Sequence, residues 1–401
     1  MGFIDLVVTL SFLFWLFVLL NPKLRKNRLW SATVTPLASI IGSGYLVSAP
    51  LMYFVLGDYA FLGMLGIVVL AYLVGEAIRF NILKAEPLLY GRYRFEGQGF
   101  LLELERLSSL VLAFAYMIAV AFYLRLLSAF IFSGFFERNP FLESLLSSAL
   151  VLFIGVSGFL RGLDFLEFLE KYAVALNLST IGAFLTGLLV YDLKHFSFTG
   201  VVKPLTFESL RVLAGVLLIV QGFETSKYLW EKYTPEERVK SMKLAQIISG
   251  FIYVSFMLLV TPLFKKIHET GLDETAIIAL ASALSVVMGW LIRVGPLMSQ
   301  FSASVADTVG AGGLLARETR GRISSRTGYL LVSLVALVLI WSTNIFETIA
   351  YASKAFAFYY FLQNAVAWGV AYRLKEYKHL ALFTFLAPVL LFITVFGKSA
   401  E

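Results

Sequence analysis

The chain has no cysteine among its 401 residues, which excludes disulfides, thiolate metal sites and thiol chemistry. Histidine is nearly missing too. His195, His268 and His379 are the only three, each in a loop or at the end of an apolar segment. That excludes haem ligation, histidine proton relays and most zinc sites from the apolar interior. It also leaves Ser43, despite its flanking glycines, without the base that an intramembrane serine protease needs. Charged residues make up 15% of the chain, against about 25% in soluble domains. Polar linkers and low-complexity tracts are lacking as well, so no soluble domain is expected.

What is present is apolar. Hydrophobic residues are 59% of the chain, and runs of 18 or more, enough to cross a bilayer, recur along nearly all of it. Twelve such segments lie near 3–20, 30–56, 59–83, 101–133, 142–160, 166–192, 207–230, 241–264, 278–314, 328–343, 346–372 and 380–397. The fold class is therefore an all-α integral membrane protein of about 12 transmembrane helices. The first segment carries Asp5 in place of a basic start, and no small-x-small site precedes Asn21-Pro22-Lys23. It is expected to be a retained helix rather than a cleaved signal.

The formal charge of +7 is not that of a nucleic-acid binder, because of where it sits. Most lysines and arginines fall in the loops after the first, third, fifth, seventh, ninth and eleventh segments. The positive-inside rule places those loops, including 23–28 and 317–326, in the cytoplasm and both termini outside a cell (inner) membrane. Anionic lipid is a secondary contact for the same residues.

One segment contradicts its own apolarity. Ala38-Ser39-Ile40-Ile41-Gly42-Ser43-Gly44 puts two glycines and a serine at mid-membrane depth, where lost backbone hydrogen bonds are costly. Broken helices at the midplane mark secondary transporters. Setting aside the first and last segments leaves ten, divided as 30–195 and 196–372, with 1–29 and 373–401 as additions. Five helices is an odd number, so the second half enters the membrane from the opposite side, as an inverted repeat. A matching break is expected about 178 residues after Gly44, and position 222 is glycine, in Gln221-Gly222-Phe223-Glu224.

These motifs carry a family resemblance. Ile40-Ile41-Gly42-Ser43-Gly44 resembles the first-helix signature of the amino acid–polyamine–organocation superfamily. Gly222-Phe223-Glu224 is similar to the motif at the sixth-helix break of that group, and residues 233–238 to the acidic, proline-containing loop after it. Residues 302–315, closing on Gly310-Ala311-Gly312-Gly313, resemble its eighth-helix ending more loosely. The chain departs from the pattern in its extra first helix and in lacking a mid-membrane lysine on 166–192, where Lys171 lies too near the basic end. The resemblance implies a LeuT-like 5+5 inverted repeat with one extra helix at each end.

At such a break the N–H groups of Ile41, Gly42, Ser43 and Gly44 favour a carboxylate. Carbonyls near Val220, Gln221, Gly222 and Phe223 favour an ammonium group. A zwitterionic amino acid fits both, with Tyr116 and Met298 completing the candidate site. The competing reading of the glycines is a small-residue packing seam.

Each intramembrane charge needs a reason. Glu224 either binds a coupling proton or substrate amine, or is a structural carboxylate bonding to the unwound backbone of the 30–56 segment. Asp307 lies ten residues before Arg317, roughly 15 Å deep, which points to a cavity or a charge pair. Lys354 is expected to pair with a carboxylate, Arg125 to anchor at the interface, and Glu76 with Arg79 to form a solvated pair. Ser302 and Ser304, with the Ala38 and Ile41 carbonyls, offer oxygens to sodium, as helix-8 hydroxyls do in sodium-coupled relatives of the family. The competing reading is a bond to the serines' own helix. The expectation is a non-enzymatic secondary transporter of an amino acid or related amine, coupled to H+ or Na+ and needing no cofactor. A metal-ion transporter, with Met298 and Met117 as ligands, is the alternative.

Overall fold

The computed structural model describes residues 2–42, 44–91, 95–137, 139–161, 163–230, 232–264 and 276–399, with backbone alone at 163–172, 218 and 276. Helices follow as α1 (Phe3–Leu20), α2 (Pro22–Lys26), α3 (Arg28–Gly42), α4 (Ser48–Leu56), α5 (Ala60–Phe80) and, after a π turn at Asn81–Ala85, α6 (Glu86–Leu89). Then come α7 (Gln98–Phe135), α8 (Pro140–Arg161), α9 (Leu163–His195) and α10 (Phe207–Ala214). Two 3-10 turns, Leu217–Val220 and Phe223–Tyr228, lead to α11 (Pro235–Val260). The chain ends with α12 (Ala276–Leu284), α13 (Val286–Glu318), α14 (Ser325–Ser342), α15 (Ile345–Leu374) and α16 (Tyr377–Phe396).

Among the described residues, eight helical stretches are long and apolar enough to span a membrane. The other four expected segments, 30–56, 207–230, 278–314 and 346–372, hold the two breaks or long helices with buried polar residues. Apolarity falls where the interior has something polar to do. The expected helix over 278–314 is divided at Ser285, whose extended backbone ends α12 and whose hydroxyl caps α13 at the Met288 N–H, 3.2 Å away.

α7 is the axis of the bundle, buried along most of its length against α13 and α15. α1 lies on α9 with little of its surface covered, and α16 lies on α15. Two polar ends are fixed by cross-chain bonds. At one end Arg28 pairs with Glu237, Arg238 with Glu86 at 2.6 Å, and Arg106 with Glu318 at 3.8 Å. This is the basic face. At the other, Asp58 accepts from the Thr199 hydroxyl and the Thr199 and Gly200 N–H groups at 2.6, 3.1 and 2.7 Å.

Arg79 corrects the expected solvated pair. Its side chain is 1% exposed, bonded to Glu76 at 2.9 Å, the Tyr72 carbonyl at 2.8 Å, and Gln246. Helix α11 covers this face of α5, and Gln246 and a carbonyl supply the acceptors that water would otherwise give.

Candidate functional site

Both expected breaks exist, and they touch. Helix α3 stops at Gly42, and Gly44 takes φ +144°, a left-handed conformation that side chains resist. An added Cβ there would lie 2.8 Å from Ile219 Cγ2, across the interface. Gly222 takes φ +118°, and its added Cβ would fall 2.6 Å from the Ile40 nitrogen and the Ser39 carbonyl carbon. Each glycine clears the way for the other break. Tyr253 of α11 bridges them, its hydroxyl oxygen 2.9 Å from the Ile40 carbonyl and also in bonding reach of the Ile219 carbonyl.

The second break does not resume as an α-helix. Glu224 turns back to accept from the Gly222 N–H at 2.9 Å, and Thr225 donates its hydroxyl to the Gly222 carbonyl at 2.7 Å. Side chains thus take bonds that the helix ladder would have made, as the absence of water requires. Glu224 is fully buried and also accepts from Tyr360 at 2.8 Å and, at 3.4 Å, from Tyr116. The carboxylate holds the backbone of its own break, at Gly222, and two phenols, rather than the backbone of the 30–56 segment that its structural reading expected. Phe223 stacks on Tyr360, ring centroids 5.1 Å apart, and Gln221 donates to the Tyr123 hydroxyl at 2.9 Å.

Helix α13 closes the site from the side. An added Cβ at Gly42 would sit 2.9 Å from Ala303 Cβ and 3.6 Å from the Ser299 hydroxyl, which accepts from Asn177 of α9 at 2.9 Å. Asp307 is buried on α13, one turn beyond Ala303. One turn on, Gly310 leaves room for the Tyr116 ring, 3.1 Å from where its Cβ would stand.

The structure therefore gathers Ile41, Gly42, Gly44, Val220, Gln221, Gly222, Phe223, Glu224 and Tyr116 in one place, with Asp307 beside them. Ser43 lies outside the described residues. Ala38 is half-buried one turn before the α3 end. Met298 does not join them: its side chain is 44% exposed on the outer surface of α13. Lys354 is half-buried and forms no ion pair with a described residue, contrary to the expected pair. Ser304 donates to the Gln300 carbonyl at 2.7 Å, its own helix, while Ser302 is buried without such a bond. Sequence reasoning missed Tyr253, Tyr360, Tyr123, Ser299 and Asn177. Asn177 gave a signal, as a lone amide within an apolar segment. The tyrosines gave none, since a tyrosine in such a segment reads equally as an interface anchor.

Comparison with known proteins gives the family and the fold. A family profile described as APC superfamily transporter matches residues 22–397. An uncharacterised protein of Aquifex aeolicus is 64% identical over 397 residues, covering 99% of this chain and 98% of that protein. The substrate-bound outward-open structure of a Na+-coupled sialic acid symporter has the same fold, at 12% identity, 99% coverage of both chains and a TM-score of 0.50. The inward-facing conformation of Mhp1 aligns with 92% of this chain and 88% of that one, at 16% identity and a TM-score of 0.45. The chain belongs to the APC superfamily of transporters.

Proposed function

We propose that this transporter carries an amino acid or a closely related amine by alternating access, with the basic face in the cytoplasm. The observation that carries the reading is the mutual contact of the two breaks. The α4 start offers N–H groups and the positive end of a helix dipole to a carboxylate. The opposed turn before Gly222 offers carbonyls to an ammonium group. Both halves of a zwitterion are thereby served within one solute's length. An inorganic cation would use only the carbonyl half.

The coupling ion is a proton, held at Asp307. This carboxylate is buried on α13 between Ala303, which faces Gly42, and Gly310, which faces Tyr116, and an ionisable group at that depth needs a reason. Two of the hydroxyls near the expected sodium ligands already make hydrogen bonds. Ser304 bonds its own helix, and the hydroxyl near Gly42 is that of Ser299, already engaged by Asn177. The sodium coupling of the sialic acid symporter makes sodium the competing reading. Uptake of labelled amino acids into proteoliposomes, under a proton gradient or a sodium gradient imposed separately, decides between them. A proton gradient alone is expected to drive accumulation, and Asp307→Asn to abolish it while leaving binding intact. Accumulation driven by sodium and indifferent to pH would overturn the proton reading.

A further inference from the structure

The turn that follows the second break is held twice by the same two helices. Glu224 meets Tyr116 of α7 and Tyr360 of α15, as described. Closer to the basic face, Lys227 meets Glu105 of α7 and Gln363 of α15. Lys227 donates to Glu105 and, at 2.7 Å, to the Gln363 side-chain oxygen. The Gln363 amide nitrogen lies 2.8 Å from the other Glu105 oxygen and 2.7 Å from the Ser108 hydroxyl. Asn81, at the π turn after α5, reaches the Gln363 side-chain oxygen at 2.9 Å. The ion pair is sealed from water, with side chains 4% and 7% exposed.

The backbone of this turn is tied down as well. Arg238, at the start of α11, donates to the Lys227 carbonyl at 2.7 Å and to Glu86 at 2.6 Å. Just beyond, Arg317 donates to Ser109 of α7 at 2.8 Å, so the cluster lies directly under the basic end of the bundle.

A sealed ion pair adds little stability over apolar residues of similar size, because desolvating two charges offsets their attraction. What it does confer is selectivity for one arrangement, since separating the partners strands two charges in a dry interior. Here one partner stands on the irregular turn, with no α-helical ladder of its own, and the other on the longest helix of the bundle. We infer that Lys227 and Glu105, locked by Gln363, form the closure between the central site and the basic face, and that the pair must part before the site opens to that side. The closure is distinct from the solute site, although Lys227 shares the 3-10 turn that begins at Phe223. It rests on the alternating-access reading but not on any particular solute.

The cysteine-free chain permits a direct test in purified full-length protein. Ser226→Cys, on the same turn and fully buried, reports opening near the basic face. Ser48→Cys, buried at the α4 start, reports the opposite side. Single removal of either charge would strand its partner and endanger folding. The test variant is therefore the neutral double Lys227→Met/Glu105→Gln, in which the amide oxygen introduced at position 105 still accepts from Gln363. Labelling by a charged thiol reagent is expected to be at least roughly tenfold faster at Ser226→Cys, and unchanged at Ser48→Cys, because only one closure has lost its bias. The charge-swapped Lys227→Glu/Glu105→Lys, which restores an ion pair, is expected to return the slow rate. An unchanged rate at Ser226→Cys would overturn the inference, and so would equal acceleration at both reporters or fast labelling in the swapped pair. These rates are read without solute, so failure of the amino acid reading shows separately, as lack of uptake with the closure intact.

Discussion

Gly222→Ala is expected to weaken solute binding at least about hundredfold and to lower stability by about 2–5 kcal/mol. The added methyl meets the Ile40 nitrogen and the Ser39 carbonyl carbon at 2.6 Å, and both are backbone, unable to rotate away. Overpacking of this kind costs about 1–3 kcal/mol, and the left-handed φ of +118° adds about 1–2 more for any residue with a Cβ. The cheapest relief is to push the breaks apart, which separates the N–H groups of one from the carbonyls of the other. Affinity should then fall at least about hundredfold, the equivalent of ~2.7 kcal/mol. Calorimetric titration together with a thermal unfolding scan checks both parts. A variant that binds as the parent does, at parent stability, would show that the breaks do not meet.

Glu224→Ala is expected to be the most damaging single change away from glycine. It removes the acceptor of the Gly222 N–H, the Tyr360 hydroxyl and the more distant Tyr116 hydroxyl, all within a buried interior. Each buried donor left unpaired costs about 1–3 kcal/mol, so the two close donors alone imply a loss of roughly 2–6 kcal/mol. Glu224→Gln keeps one acceptor oxygen and should recover most of the stability. If the glutamine variant also transports, the carboxylate serves as a brace. Parent-like stability with selective loss of coupling in Glu224→Gln would instead make it the proton carrier, in place of Asp307.

The breaks were readable because they violate the rule around them. Glycines at 42, 44 and 222 interrupt segments that lipid would keep regular, and the matched spacing between the halves gave their relation. What faces what was not readable. The bundle's helices are apolar nearly all round, so periodicity does not say which side meets a partner. That is why Met298 is expected in the site yet is 44% exposed, and why Lys354 is expected to pair with a carboxylate yet has none among the described residues. Arg79 shows the same gap from the other side. A guanidinium beside Glu76 near a helix end reads as solvated until Gln246, 167 residues away, is seen to cover it. The closure under the second break was hidden for a like reason. Lys227, Glu105 and Gln363 lie on three segments distant in sequence, and nothing in the sequence says that they meet.

The most direct test of the central claim is calorimetric titration of one transported amino acid and of its decarboxylated amine, onto the parent and onto Gly44→Val. Valine at 44 would press on Ile219 and resist the φ of +144° that aims the α4 start at the solute. The parent should bind the amino acid at least about hundredfold more tightly than the amine, since the carboxylate's charge-assisted bonds are lost with it. Gly44→Val should bind neither, while Arg106→Ala, at the basic face with its side chain 43% exposed, should match the parent. Equal affinity of the parent for both compounds, or undiminished binding by Gly44→Val, would contradict a site built from the two breaks.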